Sequence, residues 1–466
     1  MALIGSESGR ARGWLSPAAI TARVREWLID GSDRSLTQRM ASAAFLIRVG
    51  SAAVIYFSQI ALARWMGGHE FGIYVYVWTW VLLIGGLADV GLGVACQRFI
   101  PEYSERGEAA LLRGFLSGSR RLSFGIGTAF AVVALGGVFL IEPWIDSEIV
   151  IPLYLAFLCL PFYALTNVLE GIARSYNWVQ LGLLPPYIIR PILLLAVMAV
   201  AAVAGFEASA TTAMSAAVIA TWATAIIQMF LVKRRTASVI EKGVKRKAVG
   251  TWLATALPIL IVEGFYLLLT YTDILVVELF RPQHEVAVYY AAGKTMALVA
   301  FVNFSVAAAA AHRFTAYHVN GDRERLAAFV ADSIRWTFWP SLAAAAVILI
   351  LGRPLLWMFG EGFADGYYLM FILAIGLLAR AAIGPVERLL NMLGEQRLCA
   401  TVYAVTFAVN LGLCLVLIPR MGLAGAAIAI STALVLESVL LFLGTKSRLG
   451  FHVFIWRGLR KPARQP

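Results

Sequence analysis

Residues 71–88 read FGIYVYVWTWVLLIGGLA, a stretch of the chain without a single charged side chain. An uninterrupted apolar segment of about 20 residues has the length of an α-helix that crosses the hydrocarbon core of a bilayer. Segments of the same kind recur along the whole chain, as continuous runs rather than the one-sided apolar stripes of helices in soluble proteins. The pattern predicts an all-α, polytopic membrane protein.

The composition agrees with this prediction. Of the 466 residues, 60% are hydrophobic and 14% are charged, and the mean hydropathy is +0.79. Soluble domains average about 45–50% apolar and about 25% charged residues. A globule this apolar lacks the polar residues needed to cover its surface, which excludes a soluble enzyme. The four cysteines form no CxxC pair, so neither a disulfide framework nor a zinc site is predicted.

Windows of about 20 residues predict twelve transmembrane helices in two six-helix lobes. The spans of the first lobe lie near 41–64, 71–95, 122–142, 150–173, 181–204 and 210–232, and those of the second near 250–279, 286–311, 334–352, 367–388, 398–418 and 422–445. The predicted domains are a cytoplasmic segment at 1–40, an N-lobe at 41–232, a basic cytoplasmic linker at 233–249, a C-lobe at 250–446 and a basic cytoplasmic tail at 447–466. Within the first segment, residues 16–29 form either an interfacial helix or part of a disordered tail.

The basic residues predict the orientation, because Lys and Arg are retained on the cytoplasmic side. With both termini inside, the inner segments hold 31 of the 39 basic residues, whereas the outer segments hold only Arg64, Arg281, Arg353 and Arg420. The net charge of +12 therefore faces anionic lipid of the inner leaflet, and nucleic acid is not an expected partner.

The two halves of the chain resemble each other at a nearly constant offset. HEFGIY at 69–74 recurs as HEVAVY at 284–289. Further matches are Tyr103 with Tyr317, Gly107 with Gly321, Leu112 with Leu326 and Phe115 with Phe329. An ordered series of matches indicates an internal repeat. Because each copy holds an even number of spans, the repeats are parallel, with a central cleft between pseudo-symmetric lobes that alternating access would expose to either side. This organisation predicts a transporter.

Four cations lie inside the predicted spans, where an ionisable group costs at least about 2.5–3.5 kcal/mol and therefore needs a partner or a water-filled cavity. They are Arg48, Arg190, Lys294 and Arg380, and together they favour an anionic cargo. Lys294 offers a point charge for phosphate. The structural alternative for Lys294 is an ion pair with Asp273 on the preceding helix.

Acidic residues in the spans are candidates for coupling or gating. Arg48 and Glu263 are separated by the repeat offset, so they are expected to pair across the cleft in one access state, or else to have permanent structural partners. Counter-transport of H⁺ or Na⁺ would use Asp89, Glu263 or Asp273. For acids nearer the helix ends, such as Glu170, local pairing with Arg174 or Arg388 is a sufficient structural explanation.

Apparent catalytic motifs are incomplete. Residues 293–295, GKT, end like a phosphate-binding loop, but Val288 occupies the position of the first glycine and no strand precedes it. The histidines of the HE pairs at 69 and 284 lack the second histidine of a zinc motif. The sequence therefore predicts a protein that is not an enzyme, with no metal and no cofactor.

Residues 62–93, LARWMGGHEFGIYVYVWTWVLLIGGLADVGLG, with the QRF that follows, resemble the opening of the polysaccharide-biosynthesis family of flippases, including O-antigen (Wzx-type) flippases. TDILVVELF at 272–280 and VAVYYAAGKTMALV at 286–299 carry the same resemblance in the second half. These proteins belong to the multidrug/oligosaccharidyl-lipid/polysaccharide exporter superfamily. The resemblance implies translocation of undecaprenyl-diphosphate-linked saccharide across a bacterial inner membrane, through a cationic cavity where Arg48 and Lys294 fit by position. It also implies work beside glycosyltransferases and a polysaccharide polymerase.

Two alternatives remain open. A multidrug exporter of the same architecture, coupled to Na⁺ or H⁺, would need acidic and aromatic groups in its cleft to receive organic cations. A membrane-embedded saccharide polymerase or ligase would need a large outer catalytic loop, whereas every predicted outer loop is short, at about 15 residues or fewer.

Overall fold

The computed structural model describes residues 33–450 and 452–456, with side chains from Ile47 onward except at 308, 309, 311, 312, 315, 316 and 319. The helices are α1 (Asp33–Ala88), α2 (Leu92–Glu105), α3 (Ala109–Ile141), α4 (Ser147–Leu158), α5 (Leu160–Ser175), α6 (Val179–Leu184), α7 (Arg190–Val203), α8 (Ala210–Val239), α9 (Val249–Phe280), α10 (Gln283–Val319), α11 (Arg323–Ile350), α12 (Gly352–Trp357), α13 (Tyr367–Ile383), α14 (Val386–Met392), α15 (Gln396–Met421) and α16 (Leu423–Leu449). No strand occurs among the described residues, which confirms the all-α prediction. The possible interfacial helix at 16–29 lies outside the described residues.

Ten helices are long and apolar enough to cross a membrane, and the number rises to eleven when the bent pair α4 and α5 counts as one span. The polytopic membrane architecture is thereby confirmed. The longest apolar segment, Ile47–Glu105, contains Gly67 with φ 75° and ψ 170°, a conformation that joins two helices at a kink. If the helical segments before and after Gly67 each cross the membrane, the number of spans reaches twelve. The twelve spans and the division into two lobes stay predictions.

The local structure is similar in the two halves at the positions where the sequence repeats. Gly107 and Gly321 occupy turns with φ 68° and 69°, and the backbone hydrogen bonds around them correspond one by one. In the first half, the Phe115 ring packs against Phe99, with ring centroids 5.2 Å apart. The equivalent pair in the second half, Phe329 and Phe314, has its centroids 5.5 Å apart. Both copies of the motif therefore build the same turn and the same aromatic contact beneath it.

The two halves meet along α1 and α10, and they touch at the end that the charges predict to be outer. A Cβ at Gly72 would overlap the carbonyl group of Gln283, so the backbones of the two helices touch there. Arg64 donates hydrogen bonds of 2.8 Å from Nε to the carbonyl of Met358 and of 2.8 Å from Nη2 to that of Trp357. These contacts hold the two halves together at the predicted outer end. Cavities lined by ionisable side chains lie deeper between the helices.

Candidate functional site

The first polar cavity lies where α1, α2 and α5 of the first half face α9 of the second half, and its volume is about 260 Å³. We call it the acidic cavity, because the carboxylates of Asp89, Glu170 and Glu263 line it together with one cation, Arg174. Nη1 of Arg174 lies 3.4 Å from Oε1 of Glu170, so the predicted local pair is formed. Asp89 and Glu263 are in no ion pair among the described residues, so acidic groups outnumber basic ones in this lining.

Asp89 is positioned by a break in the chain. After α1 ends at Ala88, Val90 and Gly91 both adopt positive φ, at 53° and 73°. This turn lets Asp89 accept hydrogen bonds from the amides of Gly91, at 2.9 Å, and of Gly93, at 3.2 Å. Asp89 was a candidate for coupling, and its carboxylate also caps the first turn of α2.

A second cavity, of about 290 Å³ and with a mostly apolar lining, lies between α9, α10, α13 and α16 of the second half. We call it the lysine cavity, because Lys294 lines it with Asp273, Arg380 and four tyrosines. The tyrosines are Tyr266, Tyr271, Tyr289 and Tyr290. Tyr271 also lines the acidic cavity, which makes the two cavities neighbours.

Lys294 is half-buried and lies over an aromatic ring, with Nζ 5.0 Å from the centroid of Tyr290. Among the described residues no carboxylate oxygen lies within ion-pair distance of this ammonium group. Asp273 instead accepts a hydrogen bond of 2.5 Å from the hydroxyl of Tyr289 and one of 2.9 Å from the amide of Ile274. The simple Lys294–Asp273 bridge, the structural alternative for Lys294, is therefore not formed here. The ammonium group keeps its hydrogen-bonding protons available to a ligand in the cavity.

Arg48 and Arg190 stand one layer behind the cavity surface. Cζ of Arg48 lies 5.4 Å from the ring centroid of Tyr187, and Cζ of Arg190 lies 5.1 Å from that of Tyr163. Both tyrosines line the acidic cavity, whereas neither arginine is among the described residues that line it. Cation–π contacts of this kind place positive charge against the rings. Arg48 also lies over Phe304 of α10, 4.7 Å from its centroid, so it bridges the two halves.

Arg380 lines the lysine cavity but is held by two acids. Its Nε lies 3.4 Å from Oε1 of Glu437, and its Nη2 lies 3.4 Å from Oε2 of Glu387. The pairing partner of Glu387 is thus Arg380 and not its sequence neighbour Arg388. Much of the positive charge of Arg380 is consequently neutralised within the protein.

The expected pair of Arg48 and Glu263 is not among the ion pairs of the described residues. Glu263 instead lies at the acidic cavity with its side chain exposed. The repeat-equivalent positions of the two residues are compatible with pairing in another access state, and that pairing stays a prediction. Of the charges predicted from the sequence, Asp89 and Glu263 line the acidic cavity, and Lys294, Asp273 and Arg380 line the lysine cavity. Arg48 and Arg190 line neither of these two cavities, and a cleft that gathers the four cations stays a prediction.

Several cavity residues escaped sequence reasoning. The tyrosines at 163, 187 and 271 lie within apolar stretches, where an aromatic residue is as common in a structural core as in a binding site. No sequence motif singles these tyrosines out.

Comparison of the sequence with known proteins identifies two matching family profiles and a curated relative. The sequence profile of the family described as Polysaccharide biosynthesis protein matches residues 41–317, and the MatE profile matches residues 258–416. A curated relative is the probable low-salt glycan biosynthesis flippase Agl15 of Haloferax volcanii, 22% identical over 172 residues. The alignment covers 37% of this chain and 36% of that relative, so it spans about a third of the length of Agl15.

Solved structures of similar fold include transporters and a lipid flippase. An inward-facing multidrug resistance MATE family transporter of the MOP superfamily superposes with a TM-score of 0.72 at 16% identity, over 87% of this chain and 98% of that one. The lipid II flippase MurJ, in an inward closed conformation, superposes with a TM-score of 0.70 at 15% identity, over 87% of each chain. A MOP superfamily transporter from Pyrococcus furiosus reaches 0.66 at 15% identity, over 88% and 95%.

The profile match covers more than half of the chain and includes both stretches on which the sequence resemblance rests. It confirms that resemblance, and the structural matches confirm the fold. On this evidence the chain belongs to the family described as Polysaccharide biosynthesis protein.

Proposed function

We propose that this protein is a flippase that moves a polyprenyl-diphosphate-linked oligosaccharide across the membrane by alternating access. The cargo class is that of lipid-linked glycans, with undecaprenyl diphosphate as the carrier if the membrane is the bacterial inner membrane. The observation that carries the proposal is the ammonium group of Lys294, which faces the lysine cavity with no carboxylate at ion-pair distance among the described residues. Membership of the family and the partial similarity to Agl15 support it.

The chemistry of the lysine cavity suits such a headgroup. A phosphate at about 4 Å from an ammonium group gains roughly 4 kcal/mol at an effective dielectric constant near 20, before desolvation costs are subtracted. The four tyrosines around Lys294 offer flat rings and hydroxyl groups to a saccharide. The polyprenyl tail needs no protein partner, because it remains in the hydrocarbon of the bilayer.

No ATP is required for the proposed movement. With the cell interior negative, each anionic charge that moves outward gains about 2.3 kcal/mol per 100 mV. We further propose a bacterial inner-membrane location with both termini cytoplasmic, a non-catalytic role, and cooperation with glycosyltransferases and a polysaccharide polymerase.

The test is reconstitution of the purified protein into liposomes with a fluorescent diphosphate-linked saccharide and a membrane potential. Lys294→Gln removes the charge, and loss of a charged hydrogen bond worth about 1.5–3 kcal/mol lowers apparent affinity roughly 10- to 100-fold. Lys294→Arg is expected to retain part of the activity. Lys233→Gln, at an exposed position near the end of α8, is the matched control for loss of one cation. Transport by Lys294→Gln at the wild-type rate and affinity would overturn the proposal.

A second candidate, a cation-coupled multidrug exporter, is favoured by one specific observation, the three carboxylates of the acidic cavity. Deletion of the gene separates the two candidates. Accumulation of lipid-linked saccharide in the inner leaflet, with loss of surface polysaccharide, supports the flippase. Hypersensitivity to organic cations with intact polysaccharide supports the exporter.

A further inference from the structure

A third large void is a groove on the outside of the helix bundle, between the beginning of α15 and the end of α16. Its volume is about 650 Å³, and we call it the α15–α16 groove. Aliphatic side chains make up most of its wall, among them Leu398, Val402, Val405 and Leu443. The groove shares no lining residue with the acidic cavity or the lysine cavity. It is therefore separate from the proposed cargo site.

The groove opens to the outside of the helix bundle, and its wall is shaped by a close contact between the two helices. Val405 is 44% exposed and Leu443 is 52% exposed, although both lie on spans of apolar character. Gly444 lies in the wall, and a Cβ there would lie 2.8 Å from Cδ2 of Leu398. The missing side chain lets Leu398 settle against the backbone of α16. The volume of the groove is large enough for part of a flexible hydrocarbon chain, and most of its lining is apolar.

The one charged side chain among the described lining residues, Lys446, lies at one end of the groove beside Ser447, whereas Thr401 lies about one turn further along α15 than Leu398. The hydroxyl of Thr401 donates to the carbonyl of Arg397 at 3.0 Å, and that of Ser447 donates to the carbonyl of Gly444 at 3.0 Å. Because these hydroxyl protons are engaged, the donor that remains for a ligand is the exposed ammonium group of Lys446. The polar end of the groove therefore presents a positive charge.

The neighbouring sequence increases that charge. Arg397 precedes Leu398, and Arg448 follows the groove residue Ser447, whereas Glu395 is the acidic residue nearby in the sequence. This end of α15 and α16 is the end that the distribution of Lys and Arg predicts to be cytoplasmic. A basic cluster at the membrane surface attracts anionic lipid headgroups. An aliphatic groove that begins at such a cluster matches a lipid with an anionic headgroup and a hydrocarbon chain.

We propose that the α15–α16 groove binds one anionic glycerophospholipid of the predicted cytoplasmic leaflet, with an acyl chain along Leu398, Val405 and Leu443 and its phosphate at Lys446. The bound lipid lies over the contact between the side chain of Leu398 in α15 and the backbone of Gly444 in α16. It thereby stabilises the packing of these two helices against each other. The polyprenyl tail of the cargo does not occupy this groove, since the groove lies apart from both cavities.

The proposal is tested by native mass spectrometry of the full-length protein, released from detergent with phosphatidylglycerol or phosphatidylcholine at equal concentrations. We expect phosphatidylglycerol to be retained in preference. Lys446→Gln lowers that preference by about fivefold, the effect of one basic residue near an anionic surface. Thr401→Trp, an exposed position in the groove, blocks the channel and lowers retention of both lipids. The controls are Arg420→Gln and Val416→Trp, at exposed positions of α15 outside the groove.

Three results would overturn the proposal. Equal retention of the two phospholipids by the wild-type protein would remove the headgroup requirement. Unchanged retention in both Lys446→Gln and Thr401→Trp, each eluting as a folded monodisperse protein, would place the lipid elsewhere. Displacement of phosphatidylglycerol by polyprenyl phosphate at lower concentration would assign the groove to the cargo tail. None of these results bears on transport through the lysine cavity, which the liposome assay measures independently.

Discussion

Nε of Arg380 lies 3.4 Å from Oε1 of Glu437, a carboxylate that is 0% exposed. The same guanidinium group reaches Glu387, and since the three residues lie on α13, α16 and α14, one cation connects three helices. Glu387 additionally accepts a hydrogen bond of 3.4 Å from Nδ2 of Asn391. This network stabilises the second half beside the lysine cavity and fixes where Arg380 stands at the cavity wall.

Breaking this network from its centre is expected to destabilise the protein more than breaking it from one side. Arg380→Ala leaves two carboxylates without their cation, and removal of one partner of a buried pair costs about 3–5 kcal/mol. Glu437→Gln costs less, because Arg380 still contacts Glu387. Thermal unfolding in detergent measures the order. A smaller loss for Arg380→Ala than for Glu437→Gln would contradict this account.

The matched control is Arg353→Ala, which removes an arginine at the predicted outer end that contacts the Tyr367 ring. This exposed residue is expected to change stability little. The double variant Arg380→Met with Glu437→Met removes both charges together, so it should recover much of the stability lost in Arg380→Ala.

Because α1 and α10 approach closely at Gly72, a larger residue at this position is expected to change the conformation of the protein. Gly72→Val adds a side chain where the backbone of Gln283 already lies, so the outer contact is forced apart. We expect the variant to favour conformations in which the predicted outer end is open. Spin labels on cysteines introduced at the exposed positions His69 and Glu361 report the separation. The distance distribution should shift to longer values.

Gly136→Ala is the control for Gly72, because nothing lies within 4 Å of a Cβ at Gly136. In a helix that substitution stabilises by about 1 kcal/mol at most. If folded Gly72→Val shows the same distance distribution as the wild-type protein, the added side chain does not separate α1 from α10, and the prediction is wrong.

Much of the architecture was predictable because it follows from composition along the chain. Apolar runs mark the spans, and the matching motifs at Gly107 and Gly321 mark turns that require positive φ. The network of Arg380 with Glu437 was not predictable, since it depends on how α13 approaches α16. In the same way, Arg48 and Lys294 were identified as charges inside the membrane, but only the fold determines that Lys294 lines a cavity while Arg48 lies behind a tyrosine.

The outer contact predicts a role for Arg64 as a latch. Arg64→Ala removes two hydrogen bonds to carbonyl groups and a contact with the Trp357 ring, whose centroid lies 4.8 Å from Cζ. A charged hydrogen bond contributes about 1.5–3 kcal/mol, and exposure favours the lower value, so the closed-to-open ratio should fall roughly tenfold. The same pair of spin labels measures this ratio. Arg64→Lys keeps the charge but cannot donate to both carbonyl groups in the same way, so it should give an intermediate closed-to-open ratio. A wild-type closed-to-open ratio in Arg64→Ala would exclude this role for Arg64.

Arg48 and Glu263 provide the sharpest test of alternating access, because they occupy equivalent positions in the two repeats and are not paired in this structure. If they pair when the predicted inner end closes, each single charge reversal, Arg48→Glu or Glu263→Arg, destabilises that state. A loss of about 1.4 kcal/mol lowers the transport rate roughly tenfold when closure limits it. The double reversal restores the pair with opposite polarity and should transport faster than either single variant. Glu361→Gln is the control, since it neutralises an exposed carboxylate that lines neither cavity. A double variant as slow as the singles would mean that the two residues act separately, with Arg48 bound to Tyr187 and Phe304 throughout the cycle.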